Sequence, residues 1–382
     1  MLNAPLAGIT VIELARVLAG PWLGQTLADL GADVIKVEAP AGDETRQWGP
    51  PFIEHKGEQN AAYFHCCNRG KRSIVADLKT PDGQRCVQQL AAQADIFVQN
   101  FRVGALDKYG LDYATLAVTN PRLIYCSISG FGQDGPHAAL PGYDFLVQAT
   151  GGLMSVTGAT DGEAQKVGVA FADLFTALYG AIGIQTALHE RQNSGRGQHI
   201  DVSLLDSMVG VMANQAMNYL ATGVAPQRLG NTHPNIAPYQ SLPTADGTVI
   251  ITVGNNGQFQ SLCTLLKMGD TADDPRFSNN AARVKNRDAL TALLTEKLEH
   301  WQRAAFVQAA QAVGVPVAAV NNMAETFTHP QVQHRKMQIA PEGVAGVRTP
   351  ILFSGNALTS ERASPALGEH SAEIKKQFNI SE

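Results

Sequence analysis

The 382-residue chain is most informative first in what it lacks. No apolar run reaches the roughly 18 residues that a membrane-spanning helix needs. Met1-Leu2-Asn3-Ala4-Pro5 has neither the basic n-region nor the apolar h-region of a signal peptide. The five cysteines (Cys66, Cys67, Cys86, Cys126 and Cys263) are odd in number and have no zinc-ligand spacing, and adjacent Cys66-Cys67 makes a poor disulfide. Charge of one sign is missing too. With 29 basic and 34 acidic residues the formal charge is −5, without blocks, which argues against nucleic acid as the main partner. The 36 glycines and 19 prolines are spread along the chain, which excludes a collagen-like or low-complexity protein. What remains is a chain that is 45% hydrophobic, ample for a core and long enough for more than one domain at ~150 residues each. A cytoplasmic globular enzyme is the expectation.

The order of elements then gives the fold class. Ile9–Leu14 reads as a buried strand, and a helix starts at Gly20-Pro21, where proline's missing N–H costs nothing, and stops at Gly31. Asp33–Glu38 is the next strand, so the unit is βαβ and implies parallel strands with crossover helices. Strands recur at 72–78, 96–98 and 123–128, with a helix near 82–94. An apolar helix over 172–192, a strand over 198–203 and a second apolar helix over 204–220 follow. After Thr222 the character shifts to strands at 248–253 and 315–320 with helices near 258–267, 287–299 and 301–313. The expected class is α/β: a doubly wound large domain over 1–224, a smaller α+β domain over 225–325, and a return to the first domain over 326–382.

Several familiar chemistries are excluded by missing motifs. The turn after the first strand, Ala19-Gly20-Pro21-Trp22-Leu23-Gly24, lacks G-x-G-x-x-G, so Glu38 is not a dinucleotide ribose acid. P-loop, H-E-x-x-H and G-x-S-x-G signatures are absent as well. Asp173 stands out, because it falls where the apolar helix begins and is flanked by Gly-rich loops. It reads either as a helix N-cap or as a nucleophile, and the helix dipole is expected to keep it ionised at neutral pH. Arg46, beside Trp48 and Pro50, is placed to hold an acid, while Lys79, Arg102 and Lys108 lie near strand ends, where α/β folds bind ligands and a phosphate-bearing cofactor fits. His233 lies in a flexible loop at the domain junction.

Taken together, Ala19-Gly20-Pro21, 30–38 (LGADVIKVE), 42–46 (GDETR), 68–73 (NRGKRS), Asp77-Leu78-Lys79, 99–102 (QNFR), 120–125 (NPRLIY), 129–132 (SGFG), Ala172-Asp173-Leu174 and 194–198 (SGRGQ) resemble family III CoA-transferases over nearly the whole chain. The resemblance implies a Rossmann-like large domain in a homodimer interlocked like two linked rings. It implies Asp173 as the catalytic residue and no tightly bound cofactor, coenzyme A and its acyl esters being substrates. The CoA contacts it implies fall on Leu18 and Ala19, on Ala76, Asp77, Leu78 and Lys79, on Asn100, Phe101 and Arg102, and on Lys108. Many relatives carry Arg directly after the strand-two Glu, where this chain has Ala39.

Related racemases resemble the chain but have His in a Gly-His-Asp motif, where Gly142-Tyr143-Asp144 stands here; a phenol with a pKa near ~10 is a poor proton carrier at neutrality. Transferase chemistry is therefore favoured over a racemase, and a non-enzymatic CoA-ester binder ranks last. Among transferases the segments 43–51, 254–259 and 314–316 resemble succinyl-CoA-dependent dicarboxylate enzymes acting on glutarate or hydroxymethylglutarate, with oxalate/formyl and itaconate/mesaconate enzymes as alternatives. The expected roles are Asp173 as nucleophile, Arg46 as anchor for a remote carboxylate, Gly230 and Asn231 as oxyanion donors, and Tyr143 and His233 lining the substrate. No metal is called for, and neither nucleic acid nor membrane is expected as a partner.

Overall fold

The computed structural model describes residues 4–354 and 356–380. Two compact units form, one from residues up to Leu153, Lys166–Val224 and the chain from Pro330 on, the other from Met154–Gln165 and Ala225–His329. In the first unit, strands β1 (Thr10–Leu14) and β2 (Asp33–Glu38) precede a hairpin, β3 (Phe52–His55) and β4 (Glu58–Ala61). Then come β5 (Arg72–Val75), β6 (Ile96–Gln99), β7 (Ile124–Ser129) and β8 (His199–Ser203). Apart from the hairpin these strands make one parallel sheet in the order β5-β2-β1-β6-β7-β8.

Alternate residues explain why both faces are covered. Val11, Val34, Ile96, Val98, Ile124 and Cys126 pack with helices Ala19–Asp29, Phe171–Ser194 and Leu204–Val211. Their neighbours Ile12, Ile35, Phe97 and Tyr125 pack on the other face with Val87, Leu90, Leu116 and Ile374. Such near-continuous apolar strands are what a parallel sheet buried on both sides requires. Helix Phe171–Ser194 matches a membrane span in length and composition, the one such helix among the described residues. It is also the crossover between β7 and β8, and Ala177, Gly180, Ile184, Ala187 and Arg191 are buried along it.

The second unit is an antiparallel sheet, β11-β10-β9, built from β9 (Tyr239–Thr244), β10 (Gly247–Thr252) and β11 (Val317–Ala319). Its core joins Val249, Ile251, Phe259, Leu262, Leu290, Leu294 and Phe306. The sequence reading missed β9 because Pro243 interrupts it. An edge strand tolerates a residue without an N–H, and β9 is at the edge.

Two other expectations are corrected. The strand from Arg72 ends at Val75, because Asp77 Oδ1 accepts Lys79 N–H at 2.9 Å and its carbonyl accepts Thr80 N–H at 3.0 Å, closing a turn. The helix expected over 204–220 is two, Leu204–Val211 and Ala213–Thr222, broken where Ala213 takes φ of 41°.

A charged network lies inside this apolar sheet. Glu13 on β1 is fully buried between two equally buried lysines, 3.2 Å from Lys36 Nζ and 2.7 Å from Lys71 Nζ. Lys36 also pairs with Asp43 at 3.0 Å. Burial alone would lower the Lys36 pKa, but Glu13, Asp43 and Glu38 raise it above the ordinary lysine range. The Glu13 carboxylate nests against helix Ala19–Asp29 at Gly24, where an added Cβ would overlap its Oε2. Gly24→Ala should therefore destabilise the protein by about 2 kcal/mol or more, despite alanine's higher helix propensity, because it displaces a buried ion pair. Urea denaturation checks this; a variant as stable as the parent would show that the network tolerates displacement.

Candidate active site

The chain order runs outward from β1 through β2 to β5, then returns to β6 and continues to β8, so the sheet has its switch point between β1 and β6. Connections diverge there and leave a crevice at the strands' carboxyl ends. The backbone leaving β1 enters this crevice through a strained turn, in which Val17 has φ of 69°. A β-branched residue in the left-handed region is an outlier costing on the order of 1–3 kcal/mol, so its surroundings must hold it. Lys36 Nζ donates to Ala15 O at 2.9 Å. Asn100, just after β6, accepts Arg16 N–H at 2.9 Å and donates to Arg16 O at 2.7 Å. Cys67 Sγ reaches Val17 O at 3.6 Å. The turn is thereby tied to β2, to the end of β6 and to Cys67.

A cavity of about 360 Å³ opens at this point. Of the residues nominated from sequence, Leu18, Ala19, Asn100, Phe101, Arg102, Tyr143 and Asp173 line it together. Sequence reasoning missed Arg16, Glu44, Ser129 and Asp144, which line it too. Asp144 stood next to the quoted Tyr143 but was not read as functional. Arg16 carried a usable signal, since it directly follows the first strand of a doubly wound sheet.

Asp173 is the third residue of its helix; the N-cap is Ala170, whose side chain makes no capping bond. The cap comes from elsewhere in the chain. Asp144 Oδ1 accepts Ala172 N–H at 2.7 Å and lies 3.4 Å from Asp173 N, while Gln148 Nε2 holds its other oxygen at 2.6 Å. Asp144 therefore takes the helix N-terminus, and no hydrogen bond to the Asp173 carboxylate is found among the described residues. Burial, and then the nearby charge of Asp144, push the Asp173 pKa up to about 7. This corrects two expectations: Asp173 is not the N-cap, and the dipole does not keep it fully ionised at neutrality. Tyr63, which carried no sequence signal, lies close by. Burial and the charge of Asp173 raise its phenol pKa, so it remains a proton donor, and its ring meets Trp48 edge-on at 5.3 Å.

Other nominees lie elsewhere. Arg46 is buried and already paired. Its Nε and Nη2 grip both Glu38 oxygens at 2.9 and 2.8 Å, and Nη1 and Nη2 reach Asn60 Oδ1 and Pro365 O. Its guanidinium lies 3.8 Å from the Phe64 ring centroid. It bolts β2 to the hairpin and the C-terminal tail and is unavailable to a substrate. Ala76, Asp77, Leu78 and Lys79 form the turn after β5, and Lys108 stands exposed over the Tyr109 ring at 4.8 Å; none of these lines the cavity.

Gly230, Asn231 and His233 belong to the second unit. Gly230 N–H already donates to Gly158 O at 3.0 Å, which removes it as an oxyanion donor. Asn231 Nδ2 donates to Ser241 Oγ at 3.0 Å, and His233 Nδ1 accepts Asn235 N–H at 3.0 Å beside the Tyr239 ring. Burial and Arg287 lower the His233 pKa.

A carboxylate of raised pKa, without a hydrogen-bond partner among the described residues and lining a cavity at the switch point of a parallel sheet, marks a candidate site for covalent or acid–base chemistry. The family model of CoA-transferase family III matches residues 6–371, and the chain belongs to that family. It is 52% identical over 386 residues to a succinate–glutarate CoA-transferase of Agrobacterium fabrum, covering 99% of this chain and 96% of the relative. It is 38% identical to the succinyl-CoA:glutarate CoA-transferase of Homo sapiens, covering 98% of this chain and 86% of the relative. A crystal structure of a CAIB/BAIF family protein from Brucella suis matches with a TM-score of 0.90 at 57% identity, covering 98% of this chain and all of the other. The chain is thus a CoA-transferase that handles CoA thioesters and carboxylates.

The Asp173 environment has a consequence for stability. The folded protein holds this proton up to about pH 7, whereas an unfolded aspartate releases it near ~4. Its contribution to stability is therefore full below pH 4 and is lost as pH rises through 7. Asp173→Asn should raise Tm by about 1–3 °C at pH 8 and leave it nearly unchanged at pH 4. Calorimetry at the two pH values checks this, and an equal shift at both would contradict it.

Proposed function

We propose that this CoA-transferase moves CoA from succinyl-CoA to glutarate or a closely related dicarboxylate, through a thioester on Asp173. The observation that carries the mechanism is the Asp173 carboxylate, raised in pKa and without a hydrogen-bond partner among the described residues, in the switch-point cavity. The substrate assignment rests on the 52% identity to the succinate–glutarate enzyme.

In this reading the ionised Asp173 attacks the thioester carbonyl and expels CoA thiolate, leaving a mixed anhydride. The thiolate attacks the aspartyl carbonyl and releases the donor acid, which forms β-aspartyl-CoA. The acceptor carboxylate then attacks that thioester, giving a second anhydride and thiolate. Attack of the thiolate on the acceptor's carbonyl yields the new acyl-CoA and restores Asp173. Weak solvation makes the carboxylate more nucleophilic, and the anhydride is activated enough to exchange with a thiolate. Tyr143 and the backbone around Gly130 line the same cavity and are the candidate substrate contacts.

The working form is a homodimer of interlocked subunits. Ile182, Leu178 and Tyr179 on helix Phe171–Ser194 are exposed at 61%, 44% and 43%, and Phe145, Val209, Met217 and Leu220 are exposed as well. So much exposed apolar surface calls for cover, and a second copy supplies it. A monomeric mass by light scattering at micromolar concentration would overturn the dimer. All five cysteines are unpaired, as suits the reducing cytoplasm proposed for the enzyme.

Asp173→Ala should lower turnover by at least about 10³-fold while CoA binding is retained, because the step it removes is covalent. Mass spectrometry of the parent, quenched with succinyl-CoA, should find CoA on the peptide containing Asp173. With succinyl-CoA and a pool of acids (glutarate, hydroxymethylglutarate, oxalate, formate, itaconate, mesaconate), glutaryl-CoA should be the leading product. Substantial activity in the alanine variant would sink the covalent route. Deuterium uptake into a 2-methylacyl-CoA without acyl exchange would point to a racemase.

Because Asp173 must be ionised to attack, kcat/KM should rise with pH along a single ionisation near 7 and level off above it. A profile flat from pH 5 to 9 would contradict that assignment.

A further inference from the structure

We infer that Gln148 is a positioning residue, acting on the nucleophile without touching it. Its buried carboxamide holds Asp144 on the start of helix Phe171–Ser194, and so keeps that helix's first N–H groups away from the Asp173 carboxylate. The inference rests on the reading of Asp173 as the nucleophile.

Gln148 is fully buried and is not among the residues that line the cavity, so it stands behind the site. It lies four residues after Asp144 on helix Asp144–Thr150, and the two side chains share one face. Its Nε2 donates to Asp144 Oδ2 at 2.6 Å and lies 3.4 Å from Val169 O, while its Oε1 accepts Val167 N–H at 2.9 Å. One orientation of the amide satisfies all three partners, because turning it over would set oxygen against the carboxylate and the carbonyl. Residues 167 and 169 lead directly into the helix that carries Asp173. The carboxamide therefore ties Asp144 to the same backbone that delivers the nucleophile. Held from behind through Oδ2, Asp144 presents Oδ1 to Ala172 N–H at 2.7 Å, with Asp173 N at 3.4 Å.

Charge explains why an amide occupies this place. A lysine or arginine could also grip Asp144, but it would cancel the negative charge that Asp173 feels. A neutral donor orients Asp144 and leaves that charge in place. Released, Asp144 would uncover N–H groups that favour an anion, and a carboxylate at the third helical position can fold back on them as in a capping box. Asp173 would then be hydrogen-bonded, more acidic and less nucleophilic. The titratable groups that act on or near Asp173 are Asp144 and Tyr63, from helices Asp144–Thr150 and Ala62–His65. Arg16, Glu44, Arg102 and Tyr143 are the other ionisable residues lining its cavity. Of these six, Gln148 bonds Asp144.

The test is the pH profile of kcat/KM with succinyl-CoA and glutarate, set beside calorimetric titration of CoA. Gln148→Met keeps the length of the side chain and removes its polar atoms. Its profile should rise about one pH unit lower than the parent's, with a plateau about tenfold lower and a Kd for CoA within about twofold of the parent's. Gln148→Glu restores the geometry, since a protonated carboxyl accepts from Val167 N–H and donates to Asp144, while any ionised fraction adds repulsion. Its profile should rise no lower than the parent's.

A Gln148→Met profile that rises at the parent's pH, with only a lower plateau, would make Gln148 a purely structural residue and overturn the proposal. So would a shift to lower pH in Gln148→Glu, the variant that carries the test if the methionine chain does not fold. Failure of the underlying reading shows before either variant is made: Asp173→Ala would keep its turnover, and the parent profile would have no ionisation near 7.

Discussion

A carboxylate without access to water, Glu13, governs the architecture of this site. It lies on the strand at the centre of the sheet, between Lys36 and Lys71, and all three side chains are fully buried. Removing one partner of such a group leaves an uncompensated charge, typically at a cost of ~3–5 kcal/mol, so the arrangement cannot relax piecemeal. Lys36 extends the constraint outward, pairing with Asp43 and donating to Ala15 O at the mouth of the strained turn. Asp43 in turn anchors the short turn that carries Glu44, by accepting Thr45 N–H at 3.0 Å. Both members of the Arg16–Glu44 pair thus stand on backbone fixed from within. The strain at Val17 persists because buried charge, Asn100 and strand pairing over-determine it.

The two aspartates at the helix start divide work that one could not do. A carboxylate that caps a helix is well solvated by N–H groups and is a poor nucleophile for the same reason. Asp144 takes the cap, with Gln148 behind it, and leaves Asp173 desolvated and repelled by its neighbour. The ionised form of Asp173 is therefore held at the expense of folding stability, an arrangement common where function needs a group that the fold would not choose. Tyr63 stays protonated nearby, through burial first and then the charge of the same carboxylate.

The fold was legible in the sequence where local pattern and tertiary demand agree. The first βαβ unit was readable to within a residue or two, because Val11, Ile12, Val34 and Ile35 are apolar on both faces of a buried parallel strand. Asp173 was legible through its place at a helix start and through the family resemblance. The failures have a common physical cause, which is that side-chain partners distant in sequence decide what a residue does. Arg46 read as a free anion binder because Glu38, Asn60 and Pro365 come together around it only in three dimensions. The N-cap reading of Asp173 failed in the same way, since Asp144 competes for those N–H groups from 28 residues away. Pro243 hid an edge strand whose position in the sheet no local pattern reports.

Electrostatics ties the cavity's two ends together. Three acids, Glu44, Asp144 and Asp173, line the cavity against two cations, Arg16 and Arg102. Each negative charge left uncompensated there raises the pKa of Asp173 further and shrinks its ionised fraction at neutral pH. Positive charge at the cavity mouth opposes that rise, because it favours the ionised form of a carboxylate poised at the edge of protonation. Arg16 is itself offset by Glu44 at 2.7 Å. With that pair offset, Arg102 is the cation left among the described lining residues to balance Asp144 and Asp173.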